Sequence, residues 1–220
     1  MPVRRLALLG ALGGCNVVWG LGEATDAPAS AVGCMAAFPS DDFAAGTPCA
    51  GIGTPNGPLT SLAGGDLVVM LPGTGQHYGG CVGAQLTPFT PAGLFANVVQ
   101  IADGNDYNIL LAHWDNQLDT TAIFGTPGGL ELQHIVAPMT TGVVLGRSAA
   151  LEPWWRMRPS DDGREILAEG SPDGLRWTPF ATDPVAPPAQ IRLEIGIGAF
   201  GDEPDGKPRT GRVASVDLCP

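Results

Sequence analysis

Positive charge is scarce in this sequence. Eleven lysines and arginines stand against 22 acids over 220 residues, a formal charge of −11. No basic stripe is present to displace counterions, which argues against a polyanionic partner, nucleic acid included. Long apolar runs are also missing, and no stretch keeps a 3.6-residue apolar period, so no helix is predicted. Cys-x-x-Cys and closely spaced histidine pairs are absent, which argues against a zinc site. His77, His113 and His134 lie far apart, and no Ser/His/Asp order for a nucleophilic triad can be defended. Each reads as a polar residue at a strand edge or a half-buried hydrogen-bonding one.

What the chain has in quantity is glycine (32) and proline (21), nearly a quarter of all residues. They follow no repeat period and fall between apolar runs of strand length, so they punctuate an ordered chain. Many short strands with frequent turns predict an all-β sandwich or barrel, and the length suits one main domain. Strands are expected at 67–71, 81–86, 96–101, 107–114, 130–136, 143–147, 191–197 and 212–218, and an exposed loop at 54–65. Residues 191–197 show the cleanest alternation: Ile191, Leu193, Ile195 and Ile197 interleave with Arg192, Glu194 and Gly196.

Residues 153–180 read as a β-meander. Residues 154–158 run out, Asp161-Asp162-Gly163 turns, 164–169 return, and Ser171-Pro172-Asp173-Gly174 turns again into 175–178. Proline presets φ and glycine supplies the positive φ that closes the turn. Alternation places Trp155 and Met157 on the core side and Trp154, Arg156 and Arg158 on the other. Trp177 is expected to cover the hairpin.

The N-terminus has the layout of a secretory signal: two arginines within residues 1–5, then a short apolar stretch too short to span a bilayer. Leu12-Gly13-Gly14-Cys15 resembles the bacterial lipobox, which implies cleavage and lipidation at Cys15; a plain secretory peptide cut near residues 27–31 is the alternative. The expected division is a lipoprotein-type signal peptide at 1–14, a Gly/Ala/Pro/Ser-rich flexible tether at 15–34 and a sandwich at 35–220. Localisation at the membrane or outside the cell follows. Cys34, Cys49, Cys81 and Cys219 form an even set in an exported chain, which implies disulfides with three pairings open. First and last strands of a sandwich often lie side by side, so Cys34–Cys219 with Cys49–Cys81 is the pairing expected first.

Trp154-Trp155-Arg156-Met157-Arg158, Ser171-Pro172-Asp173-Gly174, Trp177-Thr178, Asp41-Asp42-Phe43 and Val216-Asp217-Leu218 together resemble the concanavalin A-like lectin/glucanase domains, of laminin-G-like jelly-roll form, common in exported bacterial proteins. The resemblance covers about residues 35–220 and implies a jelly roll of two antiparallel sheets. It implies little about activity, because the fold hosts lectins, glycosidases and adhesive modules alike.

Glu165 and Glu169, four apart, superficially match the Glu-x-Asp-x-Glu pattern of retaining glucanases with this fold, but Leu167 stands where the middle Asp belongs. They are therefore expected on a solvated strand face, and no catalytic residue is assigned. Trp154, Arg156, Arg158 and Trp114 are the candidate ligand contacts, aromatic faces being natural platforms for sugar rings. Asp202-Glu203-Pro204-Asp205-Gly206 gathers oxygen ligands suited to Ca²⁺, though it reads first as a solvated acidic turn, so no cofactor is required. The function expected is a non-catalytic, lipid-anchored surface module binding glycan or a protein partner. A glycoside hydrolase or lyase with an unadvertised acid pair is the alternative.

Overall fold

The computed structural model describes residues 40–43, 46–116, 118–136, 143–148 and 152–219. Their regular structure is sixteen strands: β1 (Ser40–Asp41), β2 (Gly53–Asn56), β3 (Thr60–Ala63), β4 (Asp66–Leu71), β5 (His77–Gly83), β6 (Thr87–Pro88), β7 (Gly93–Gln100), β8 (Asp106–Trp114), β9 (Asp119–Thr126), β10 (Gly129–Val136), β11 (Val143–Ser148), β12 (Trp154–Pro159), β13 (Ile166–Ser171), β14 (Thr178–Asp183), β15 (Gln190–Ala199) and β16 (Arg209–Cys219). They form two antiparallel sheets of eight strands. Sheet A runs β14-β13-β12-β7-β16-β4-β3 with β1 on β16, and sheet B runs β11-β10-β9-β8-β15-β5-β2 with β6 on β15. The long connections between sequence-distant neighbours make this a jelly roll.

Period-two alternation builds the core. Leu193, Ile195 and Ile197 of β15, Leu110 and Ala112 of β8, Leu94 and Ala96 of β7, and Val216 and Leu218 of β16 all point between the sheets and are buried. Trp155 and Met157 are both fully buried, as alternation predicts. The indole reaches sheet B, where a Cβ on Gly125 would overlap its ring, and its Nε1–H donates to the Glu152 carbonyl at 2.7 Å.

Several expectations are corrected. The predicted loop at 54–65 contains β2 and β3. Both are outermost strands, so each needs a ladder on one side only, which tolerates Pro55 within β2. β9 has no counterpart among the predicted strands, since its polar start, Asp119-Thr120-Thr121, masks the apolar Ala122-Ile123-Phe124 that follows. The strand expected at 175–178 begins only at Thr178, because the turn takes the intervening amides. Ser171 Oγ accepts Gly174 N–H at 2.8 Å, and Asp173 Oδ1 accepts Leu175 and Arg176 N–H at 2.9 and 3.0 Å. Gly174 sits at φ 72°, as the turn chemistry requires.

Cys49 and Cys81 are disulfide-bonded, with Cα atoms 5.3 Å apart. Cys34 and the Cys219 side chain lie outside the described residues, as do Cys15, the expected signal and the expected tether.

Candidate functional site on the outer face of sheet B

The same alternation that fills the core sends Glu194, Gly196 and Gly198 of β15 to the opposite face. The ladder sets them beside Tyr107, Ile109, Leu111 and His113 of β8, and beside Tyr78 of β5. Ile109, Leu111, Ala122 and Phe124 form a second apolar cluster there, flanked by Tyr78, Tyr107 and Ile135. The glycines are needed: a Cβ on Gly196 would overlap the Tyr78 ring and one on Gly198 the Tyr107 ring, so the two tyrosines lie across β15. Tyr107 continues into an aromatic row, 5.4 Å from Phe124 and 4.4 Å from Phe200 between ring centroids, and Phe200 is 58% exposed.

At the centre is Glu194, 6% exposed. Its Oε1 accepts hydrogen bonds from Tyr78 Oη–H at 2.7 Å and Asn56 Nδ2–H at 2.9 Å, and its Oε2 lies 2.6 Å from His113 Nε2. His113 Nδ1 is 3.2 Å from Thr120 Oγ1, so both ring nitrogens are engaged. Burial acts to raise the Glu194 carboxyl; the hydrogen bonds from His113, Tyr78 and Asn56 outweigh it and hold the group below its ordinary range. The Tyr78 phenol is pushed well up by burial, then by Glu194. Neither group is set up as a neutral-pH base. Beside His113 opens a cleft of about 140 Å³, lined by Ala84, Gln85, Leu86, His113, Trp114 and Arg192.

Trp114, a predicted ligand contact, lines that cleft but packs its ring inward. It stacks on His134 at 4.9 Å and its Nε1–H donates to Thr121 Oγ1 at 3.1 Å. His134 Nδ1 in turn lies 3.2 Å from Asp183 Oδ2, joining the two sheets. His77 is held at the loop by Thr74, with Nε2 2.7 Å from the carbonyl.

Trp154, Arg156 and Arg158 lie on the outer face of sheet A, remote from Glu194. Trp154 is half-buried. Arg156 is 3% exposed and paired with Glu169, which Arg158 also reaches, its Nε 3.1 Å from Oε2. Trp177 lies over the Arg156 guanidinium at 4.5 Å and meets Phe95 edge-on at 5.6 Å. The expected solvated face for Glu165 and Glu169 is thereby corrected. Glu169 is 2% exposed because the two arginines opposite it on β12 demand a counter-charge, and Glu165 precedes β13. The predicted calcium loop is engaged internally: Asp202 Oδ1 accepts Gly75 N–H, and Asp205 Oδ1 accepts from Arg209 at 2.9 Å. Among the described residues no three His, Cys, Asp or Glu side chains converge as a metal site would require.

Sequence reasoning missed Glu194, Tyr78 and Asn56. The available signal was the pair of glycines at outward positions of an otherwise β-branched strand, which makes room for something large lying across it.

No family model and no curated protein matches this sequence. Solved structures do. The chain is similar to a Crh5 transglycosylase, at 13% identity and TM-score 0.56, covering 81% of this chain and 82% of that one. It is similar to a Bacillus licheniformis β-glucanase, at 10% and 0.56, covering 82% and 97%. It is also similar to a mutant of SCLam, a non-specific endo-β-1,3(4)-glucanase from family GH16, at 12% and 0.59, covering 81% and 91%. The fold is therefore a concanavalin A-like jelly roll, as the motif resemblance implied.

Proposed function

We propose that this chain is a non-catalytic glycan-binding sandwich, exported and lipid-anchored through Cys15, that takes its ligand on the outer face of sheet B. One observation carries the non-catalytic part: among the described residues Glu194 has no carboxylate partner within working distance. Retaining hydrolysis needs two carboxyls about 5–5.5 Å apart and inverting hydrolysis about 6.5–9.5 Å. The next acid on this face, Glu131, sits on β10, three strands away, which at strand spacing is about 14 Å. Glu194 is moreover held charged by three donors and has no route to act as an acid. The aromatic row Phe124-Tyr107-Phe200 and the cleft at His113 offer what a sugar needs, an apolar platform beside fixed hydrogen-bonding groups. The structural neighbours, glucanases and a transglycosylase, support a carbohydrate ligand by analogy of fold only.

A glycan array and a reducing-sugar assay on the full chain test this reading. Binding to neutral β-glucans with no release of reducing ends is expected, together with about 2- to 12-fold weaker binding for Tyr107→Ala, since a lost stacking contact is worth about 0.5–1.5 kcal/mol. Release of reducing ends that Glu194→Gln abolishes would replace the binding reading with the enzyme one. Mass spectrometry of the membrane fraction should find diacylglyceryl on Cys15, and a soluble product beginning near residue 28 would remove the anchor.

A further inference from the structure

We propose that Asp106 and Glu203 share a single proton, and that this proton latches the loops around Phe200, which are tight in acid and loosened toward neutral pH. Asp106 opens β8 on its inward side at one end of the sandwich and is 1% exposed, and neither of its oxygens has a hydrogen-bond donor. Glu203, in the loop between β15 and β16, is 4% exposed. Its Oε1 accepts Asn105 N–H at 2.9 Å, while Oε2 has no hydrogen bond and only the Arg209 guanidinium 3.5 Å away. Two facing carboxylates have no proton to offer one another, so both are left unsatisfied where water is excluded. One proton resolves this by giving the Asp106–Glu203 side-chain hydrogen bond a donor.

The surroundings say which acid takes it. Glu203 has the Arg209 guanidinium and the Asn105 amide beside it, whereas neither Asp106 oxygen has a donor. Burial, then the charge of Glu203 and the hydrogen bond to it, push Asp106 up to about 6, with Arg209 pulling against them. The Tyr107 phenol is pushed up by burial, Glu194 and Asp106 in that order, and Asp202, Asp205 and Lys207 share the loop of Glu203. Asp205 already pairs with Arg209 and Lys207.

The loops leave little room for two repelling charges to separate. Glu203 N–H donates to the Gly73 carbonyl at 3.0 Å, Asn105 Nδ2–H to the Asp202 carbonyl at 3.1 Å, Gln76 Nε2–H to the Phe200 carbonyl at 3.2 Å and Phe200 N–H to the Asn105 carbonyl at 3.4 Å. A Cβ on Gly73 would overlap the Gly206 backbone and one on Gly104 the Glu203 carboxylate. Loss of the proton therefore strains three loops at once, and Phe200 with them. Because the folded-state value lies above the ordinary 3.8, the stabilisation is fully present below about pH 4 and is lost as pH rises through about 6.

Thermal unfolding of the full chain between about pH 5 and about pH 7.5 tests the latch, with Asp106→Asn as the permanently protonated mimic and Glu203→Gln as a second variant that supplies a donor from the other side. The parent Tm should fall about 5 °C further than that of either variant over this interval. Amide exchange at Asn105, Phe200 and Glu203, corrected for intrinsic rates, should accelerate in the parent only. Parallel Tm curves for the parent and whichever variants fold, or unchanged protection at those amides, would overturn the proposal. So would a calcium-dependent return of the parent at pH 7.5 to its acid Tm, which would make the pair a cation site instead.

Discussion

On the outer face of sheet A, Glu169 is gripped by Arg156 and Arg158 beneath Trp177; on the outer face of sheet B, Glu194 is held by His113, Tyr78 and Asn56. Both carboxylates are buried, and both have neighbours that make up for lost water. The means differ. Two guanidiniums, which do not deprotonate in proteins, fix Glu169, and breaking its pair with Arg156 would leave a buried charge. Glu194 is compensated by hydrogen bonds, first from His113 and then from Tyr78 and Asn56. Two buried acids are thus held in different ways, one by two guanidiniums and the other by a histidine, a tyrosine and an asparagine.

The largest test of that contrast is Glu169→Ala. It removes the counter-charge that Arg156 and Arg158 share, and a loss of about 3–5 kcal/mol is expected from breaking a buried pair. Chemical denaturation reads it directly, and a midpoint equal to the parent's would mean the network is not structural. Glu194→Gln should cost less, about 1–3 kcal/mol, because the amide oxygen still accepts from Tyr78 and Asn56. Its signature is in the pH dependence. A carboxyl held below its ordinary 4.5 contributes stability that is present above that value and lost as pH falls through its folded-state value. The parent should lose Tm on the acid side of about pH 4.5, and Glu194→Gln should flatten that limb; identical acid limbs would show that His113 and its partners do not hold the charge. Trp177→Leu gives the smallest change, about 1 kcal/mol, the worth of a partly exposed cation–π lid over Arg156, and it should leave glycan binding untouched. Weakened glycan binding in that variant would move the ligand face to sheet A.

Much of this was legible in the residues. Alternation in 191–197 announced the central strand of sheet B, and Ser171-Pro172-Asp173-Gly174 announced a turn whose glycine has the required positive φ. The candidate site was not legible. Glu194 alternates with isoleucines as any solvated strand residue would, and the partners that bury it come from β5, β8 and the end of β2, brought together only by the ladder. Arg156 failed as a surface candidate for the same reason: alternation says which face a side chain takes, while Phe95 of β7 and Trp177 of the turn before β14 lie over it.

The prolines on the outermost strands have a consequence for the chain in a crowd. Among the described residues β14, β3, β11 and β2 end the two sheets, and a sheet edge is a row of backbone groups on which another copy could template. Pro55 in β2 and Pro179 in β14 have no N–H to offer, and β3 is four residues long. Together with the mutual repulsion of copies carrying −11, these interruptions keep an all-β chain from propagating its own hydrogen-bond pattern into fibrils.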